Sequence, residues 1–291
     1  MIELPVVEGC SMFILSFSSL KGGVGKTTLA VHTALALREQ LDGKEFVCIL
    51  DASGGPGCSA TYLMAEEHLE LFKRGSAEAR ALIDVISGDL PAEEWHSCIY
   101  PTRFRGVVVM PMQNPEKPLS KRQVAARRRL GTLADIGVVL IKELWNRVSF
   151  LIIDPPAYSL HENLVFMAMA HTIVPVVSEE WPMESMLAAA HVAEYASRVR
   201  RGGKTPSVAG FVYNRYKGLK SPLGRLYADL AAEKLRLKCI ARVPEDPILT
   251  YVWRRGKTLF DYRFNTPAKK AFRAVADWVL KMKAGEGGGE V

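Results

Sequence analysis

Eight residues, Lys21-Gly22-Gly23-Val24-Gly25-Lys26-Thr27-Thr28, constrain this chain more than any other stretch. An apolar run, Met12-Phe13-Ile14-Leu15-Ser16-Phe17, comes just before them. A second, Leu29-Ala30-Val31-His32-Thr33-Ala34-Leu35-Ala36-Leu37, follows. The order reads as strand, glycine-rich turn, helix. Glycines let a backbone curl until its N–H groups converge on an anion. The start of a helix adds partial positive charge at the same point. Lys26 is then placed to reach the outer phosphates of a bound polyphosphate, and the Thr27 hydroxyl to ligate a magnesium ion.

The usual P-loop pattern, G-x-x-x-x-G-K-[ST], asks for glycine at position 20, where this chain has Leu20. A second lysine, Lys21, stands five residues before Lys26 instead. This resembles the deviant Walker A P-loop of the ParA/MinD family of ATPases, most closely the DNA-partitioning ParA type. The resemblance implies that Lys21 to Thr28 hold ATP with Mg2+. It also implies that Lys21 reaches across a homodimer interface to the partner's nucleotide.

Later segments resemble the same family in the same order, over roughly residues 12–282. Asp154 closes the apolar run Phe150-Leu151-Ile152-Ile153 and matches the carboxylate that orients magnesium. The family's Asp-x-Pro-Pro is one residue short here, Asp154-Pro155-Pro156. Asp51 closes Phe46-Val47-Cys48-Ile49-Leu50 and matches an aspartate near the magnesium shell. The resemblance thus makes Thr27, Asp51 and Asp154 the metal set, and Lys21, Lys26, Asp51 and Asp154 the catalytic set. Where the family has a second aspartate to position the attacking water, this chain has Ser53. A hydroxyl cannot act as a carboxylate base, so hydrolysis is expected to be slow, absent or dependent on a partner protein. Asn214, ending Phe211-Val212-Tyr213, matches the asparagine that contacts adenine; an amide offers the donor and acceptor that suit its edge. Pro244 and Asp246 fall in the segment matching the loop over the base.

Apolar runs alternating with helical patterns imply a single-domain α/β fold. Its expected core is a mostly parallel, twisted sheet of about seven or eight strands, with helices on both faces. The runs lie near residues 12–17, 46–50, 107–111, 150–153, 172–177, 208–214 and 240–244. Helical patterns cover most of 61–90, Ser120 to Trp145 with breaks near Gly131 and Gly137, Met183 to Arg201, and Pro267 to Lys283. Residues 1–11 read as an extension, 12–284 as the ATPase domain, and 285–291 as a flexible glycine-rich tail.

The 291 residues are 48% hydrophobic and 24% charged, ordinary for a soluble globular protein. No apolar run approaches the ~20 residues that span a bilayer, and the acidic start does not read as a secretory signal. Five cysteines without C-x-x-C pairing read as reduced thiols of a cytoplasmic protein. The iron–sulfur branch of the same P-loop class needs paired cluster-ligating cysteines, and Cys98 has no partner before Cys239.

The net charge of +7 favours polyanionic partners. Basic residues cluster at Lys117, Lys121, Arg122, Arg127, Arg128 and Arg129, and at Arg198, Arg200, Arg201, Lys204, Arg215, Lys217, Lys220 and Arg225. A third group is Arg254, Arg255, Lys257, Lys269, Lys270 and Arg273. These point to sequence-independent, salt-sensitive DNA binding and, with the family resemblance, to a nucleoid-associated partitioning protein with a ParB-like or other stimulating partner. A membrane is the other polyanion, and the stripe Phe272, Val275, Trp278, Val279 and Met282 would be its anchor. A terminal helix with such a stripe more often packs on a sheet, so membrane attachment is not expected.

Overall fold

Continuous apolar runs become strands buried along their length, as parallel strands covered on both sides must be. The structure, a computed structural model, describes residues 4–6, 11–53, 59–65, 68–73, 78–128, 143–156, 166–179, 182–199, 206–217 and 222–285. The glycine-rich loop at 54–58, Gly131, Gly137 and the tail beyond Gly285 lie outside these residues. So do Cys10, Cys58, Arg129, Arg200, Arg201, Lys204 and Lys220.

The chain groups into two compact units. One comprises Met1–Ile14 and Leu41–Pro156, the other Leu15–Gln40 and Ala157–Val291. The first carries strands β2 (Val47–Asp51), β3 (Tyr100–Pro101), β4 (Val107–Pro111) and β5 (Phe150–Asp154), in the order β3-β4-β2-β5. β2 runs parallel to both β4 and β5, and every residue of these three strands is buried. β3 is antiparallel to β4 and was not expected from the sequence. Two residues are too few to show a period, and Pro101 suits only an edge. Helices α2 (Ser59–Met64), α3 (Leu69–Lys73), α4 (Leu82–Ser87) and α5 (Lys121–Arg128) complete the described part of this unit; α2 packs on β2 and β4, and α4 on α5.

The second unit carries most of β1 (Phe13–Ser18), then β6 (Thr172–Ser178), β7 (Phe211–Tyr216) and β8 (Cys239–Pro244), in the order β1-β6-β7-β8 and all parallel. β7 begins at Phe211 rather than Val208. Ser207 makes only an isolated bridge to Thr172 before the strand starts. The helices are α1 (Lys26–Gln40), α6 (Pro182–Val199), α7 (Pro222–Leu235), α8 (Pro247–Trp253) and α9 (Pro267–Lys283).

α9 turns three of its five stripe residues into the fold. Its start is fixed by Thr266, whose side chain accepts from Lys269 N at 3.1 Å, and by Pro267 in the first turn. Phe272, Val275 and Val279 are completely buried as α9 packs on α1 and β8. The α/β class and the mostly parallel strands, eight among the described residues, agree with the expectation from the sequence.

Candidate functional site

In the second unit the chain leaves β1 at Ser18, turns through residues 19–25 and enters α1 at Lys26. Gly23 has φ +77° and Gly25 φ +95°, a left-handed backbone that side chains resist. Gly25 has a second reason to be glycine. A Cβ there would sit 2.1 Å from the Asn214 side-chain nitrogen. Asn214 lies on β7 beside Ser178 of β6, is nearly fully buried, and its Nδ2 donates to the Val24 carbonyl at 2.7 Å.

Lys26, 6% exposed, folds its ammonium back on the same loop, with Nζ donating to the Lys21 carbonyl at 3.1 Å. The Lys21 backbone N–H donates to Ser19 Oγ. The Lys21 ammonium lies 3.7 Å from a carboxylate oxygen of Glu184, in the first turn of α6. Thr27 and Thr28, half-buried, are the second and third residues of α1. The result is a curled loop at the positive end of a 15-residue helix with two ammonium groups on its own backbone or flank, a shape suited to a polyphosphate.

One residue here was missed by sequence reasoning. His32 is fully buried in α1, and its Nδ1–H donates to the Thr28 carbonyl at 2.8 Å. Its Nε2 accepts the Leu259 backbone N–H at 3.3 Å. The ring stacks on Phe272 with centroids 4.5 Å apart and lies 5.8 Å from Trp253. Burial pushes it down to about 4, so it is neutral at physiological pH. His32 therefore ties the last residue of the glycine stretch to the turn at Leu259–Asp261. The only sequence signal was a histidine four residues after Thr28 in an apolar helix, which reads as ordinary core.

Pro244 ends β8, and Asp246 caps α8, accepting from Ile248 N at 2.8 Å. The other Asp246 oxygen is buried without a partner among the described residues. Both residues line a cavity of about 410 Å³ with Phe264 and Asn265.

In the first unit, Asp51 and Asp154 end β2 and β5 as register partners, both fully buried. Asp51 accepts from Thr61 N and Thr61 Oγ1, each at 2.8 Å, and from Ser53 N at 3.3 Å. Burial pushes its carboxyl upward, and the Thr61 and Ser53 hydrogen bonds oppose the rise. The Asp154 carbonyl accepts from Ala52 N at 3.0 Å. Two buried carboxylates on adjacent parallel strands, about 4.8 Å apart in backbone, form an all-oxygen donor set suited to a hard divalent cation. The Ser53 backbone and side chain both support Asp51.

Several basic residues expected on a polyanion surface are engaged within the chain. Lys269 is 4% exposed, donates to the Tyr262 carbonyl and lies over the Phe260 ring. Arg273 pairs with Glu39, Arg198 with Glu194 and Arg122 with Asp89, and Arg127 donates to Gln113. Arg254, Arg255 and Lys270 are exposed.

A family model named ParA, described as an NUBPL iron-transfer P-loop NTPase, matches residues 12–280. An uncharacterized ATP-binding protein of Methanocaldococcus jannaschii is 26% identical over 267 residues, covering 90% of this chain and 86% of the relative. The septum site-determining protein MinD of Pyrococcus horikoshii, solved with Mg-ADP, has a TM-score of 0.68 at 24% identity, covering 94% of this chain and 98% of that one. A Cyanothece McdA variant solved with ATP has a TM-score of 0.72 at 18% identity, covering 94% and 97%. At these identities the likeness to solved structures shows the fold.

Proposed function

The chain belongs to the ParA family of P-loop NTPases, and from that premise we propose that it is an ATP-gated dimer that binds DNA without sequence preference in plasmid or chromosome partitioning. The observation that carries the nucleotide part is the glycine loop, with Gly23 and Gly25 left-handed and Lys26 turned inward at the head of α1. On this reading Gly22 to Gly25 present backbone N–H groups to the phosphates, and Lys26 exchanges the Lys21 carbonyl for the outer phosphates. Thr27, Asp51 and Asp154 supply the hard oxygens that Mg2+ takes. The ion, when bound, offsets charge on the outer phosphates. Pro244 and Asp246 border the base.

Lys21 is assigned to the nucleotide of a second copy, which makes the homodimer depend on ATP. Ser53 leaves the site without the second carboxylate, so hydrolysis is slow or waits for a ParB-like or other stimulating partner. The positive net charge and the exposed Arg254, Arg255 and Lys270 favour DNA.

The test is retention of random-sequence DNA with ADP, ATP and a non-hydrolysable ATP analogue at two salt concentrations, with phosphate release followed in the same samples. Retention should require ATP or the analogue and fall steeply with salt. Retention independent of nucleotide would overturn the switch. Turnover by the protein alone that matches aspartate-bearing relatives would overturn the slow-hydrolysis reading.

A further inference from the structure

We propose that Asn214 is a positioning residue for the phosphate cradle: its amide holds the glycine loop in its curled shape, and this bracing is its contribution to binding. The inference rests on reading that loop as a triphosphate site, and it departs from the base-contacting role that the family resemblance gives this asparagine.

Three observations carry it. The Asn214 Nδ2–H donates to the Val24 carbonyl at 2.7 Å, in a buried bond that joins residues 190 apart in sequence. The same nitrogen occupies the space a side chain at Gly25 would fill, 2.1 Å from the ideal Cβ, with the amide carbon at 3.3 Å. The amide thus packs against the loop and does not face an open pocket; the residue is 4% exposed. Third, Asn214 is itself firmly seated. Tyr213 before it is completely buried, and Arg215 after it adopts φ +56° where the β7–β8 register shifts. That irregularity lies next to the residue that turns toward the loop.

The consequence follows from peptide geometry. A trans peptide points its C=O and the following N–H in opposite directions. Fixing the Val24 carbonyl on Asn214 therefore turns the Gly25 N–H away from Asn214. In a cradle, that is the side where the anion must lie. Asn214 thereby sets the direction of a donor it does not touch, and Gly25 must lack a side chain for the amide to get close enough.

The experiment separates bracing from base recognition by using a ligand with no base. Binding of Mg-ATP, Mg-GTP and inorganic tripolyphosphate is measured by calorimetry on wild type, Asn214→Ala and Asn214→Asp, with Ser178→Ala as the control on the neighbouring strand. Hydrogen exchange of the peptide covering 21–28 is followed without nucleotide. Bracing predicts that Asn214→Ala weakens ATP and tripolyphosphate by the same factor, about tenfold for one lost buried bond. The ATP-to-GTP ratio should stay unchanged, and loop exchange should quicken. Asn214→Asp keeps the shape but sets an acceptor against the Val24 carbonyl, so it should lose at least as much. Ser178→Ala should behave as wild type. Loss of ATP binding with tripolyphosphate binding intact, or a shifted ATP-to-GTP ratio, would overturn the proposal. Unchanged loop exchange in both Asn214 variants would overturn it whatever the ligand. A wild-type chain that binds neither ATP nor tripolyphosphate removes the triphosphate reading and the proposal with it.

Discussion

His32 shows how one side chain carries both stability and site geometry. Its depressed pKa makes the native state bind fewer protons than the unfolded chain as pH falls below about 6.5. The resulting loss of stability grows until pH passes about 4, where the native imidazole also charges. The full difference corresponds to about 3 kcal/mol. Urea midpoints followed from pH 7 to 4 should therefore fall more steeply in wild type than in His32→Phe; parallel curves would mean the ring is not held neutral. Ser53 carries the complementary prediction for chemistry. Ser53→Asp puts a carboxylate where the proposed mechanism needs one to position water and should raise phosphate release about a hundredfold or more, within the range of about 10²–10⁴ for a positioned general base. An unchanged rate would show that another step limits turnover. The placement of single residues was legible in the sequence where motif and order coincide: Lys21 to Thr28 lie between β1 and α1 and enter that helix, and Asp51 and Asp154 end their strands. His32 and the bracing amide of Asn214 were not, because their partners Leu259 and Val24 lie 227 and 190 residues away, and no local pattern signals a contact at that distance.

At the scale of elements, α9 was readable from end to end because a proline in its first turn and a strong apolar stripe coincide. Its Phe272 is completely buried and stacks on His32. Phe272→Ala should cost about 3–5 kcal/mol and loosen the Leu259 turn, seen as faster exchange there. A loss below 1 kcal/mol in a chemical-denaturation series would contradict this packing. α7 and α8 were not anticipated. α7 exposes Leu223 and Leu226 at 56% and 59%, so its apolar pattern does not single out a buried face, and α8 is only two turns. β3 escaped for the same reason of length. What the sequence could not place was the element that is short, as β3 and α8 are, or whose apolar residues do not mark one buried face, as in α7.

At the scale of the whole molecule, part of the positive charge among the described residues is paired within the chain. Lys269, Arg273, Arg122 and Arg198 already serve carbonyls or carboxylates of the same chain. Replacing both Arg254 and Arg255 by alanine should reduce the slope of log affinity against log salt for random DNA by about 2, since each phosphate contact contributes about 0.9. An unaltered slope would move the contact surface elsewhere. Among the described residues no helix is long and apolar enough to cross a membrane. The proposed dimer draws on the lysine that rests against Glu184. An ammonium already engaged at home makes solitude slightly more comfortable for each copy. Recruitment must first undo that attachment, whose worth at such an exposed pair is at most about 1 kcal/mol. Each dimer breaks two such pairs, so Glu184→Gln should let ATP-loaded copies associate at a concentration up to roughly thirtyfold lower. The pairing would then act as a threshold, keeping scarce protein dispersed until crowding at one place tips it into company.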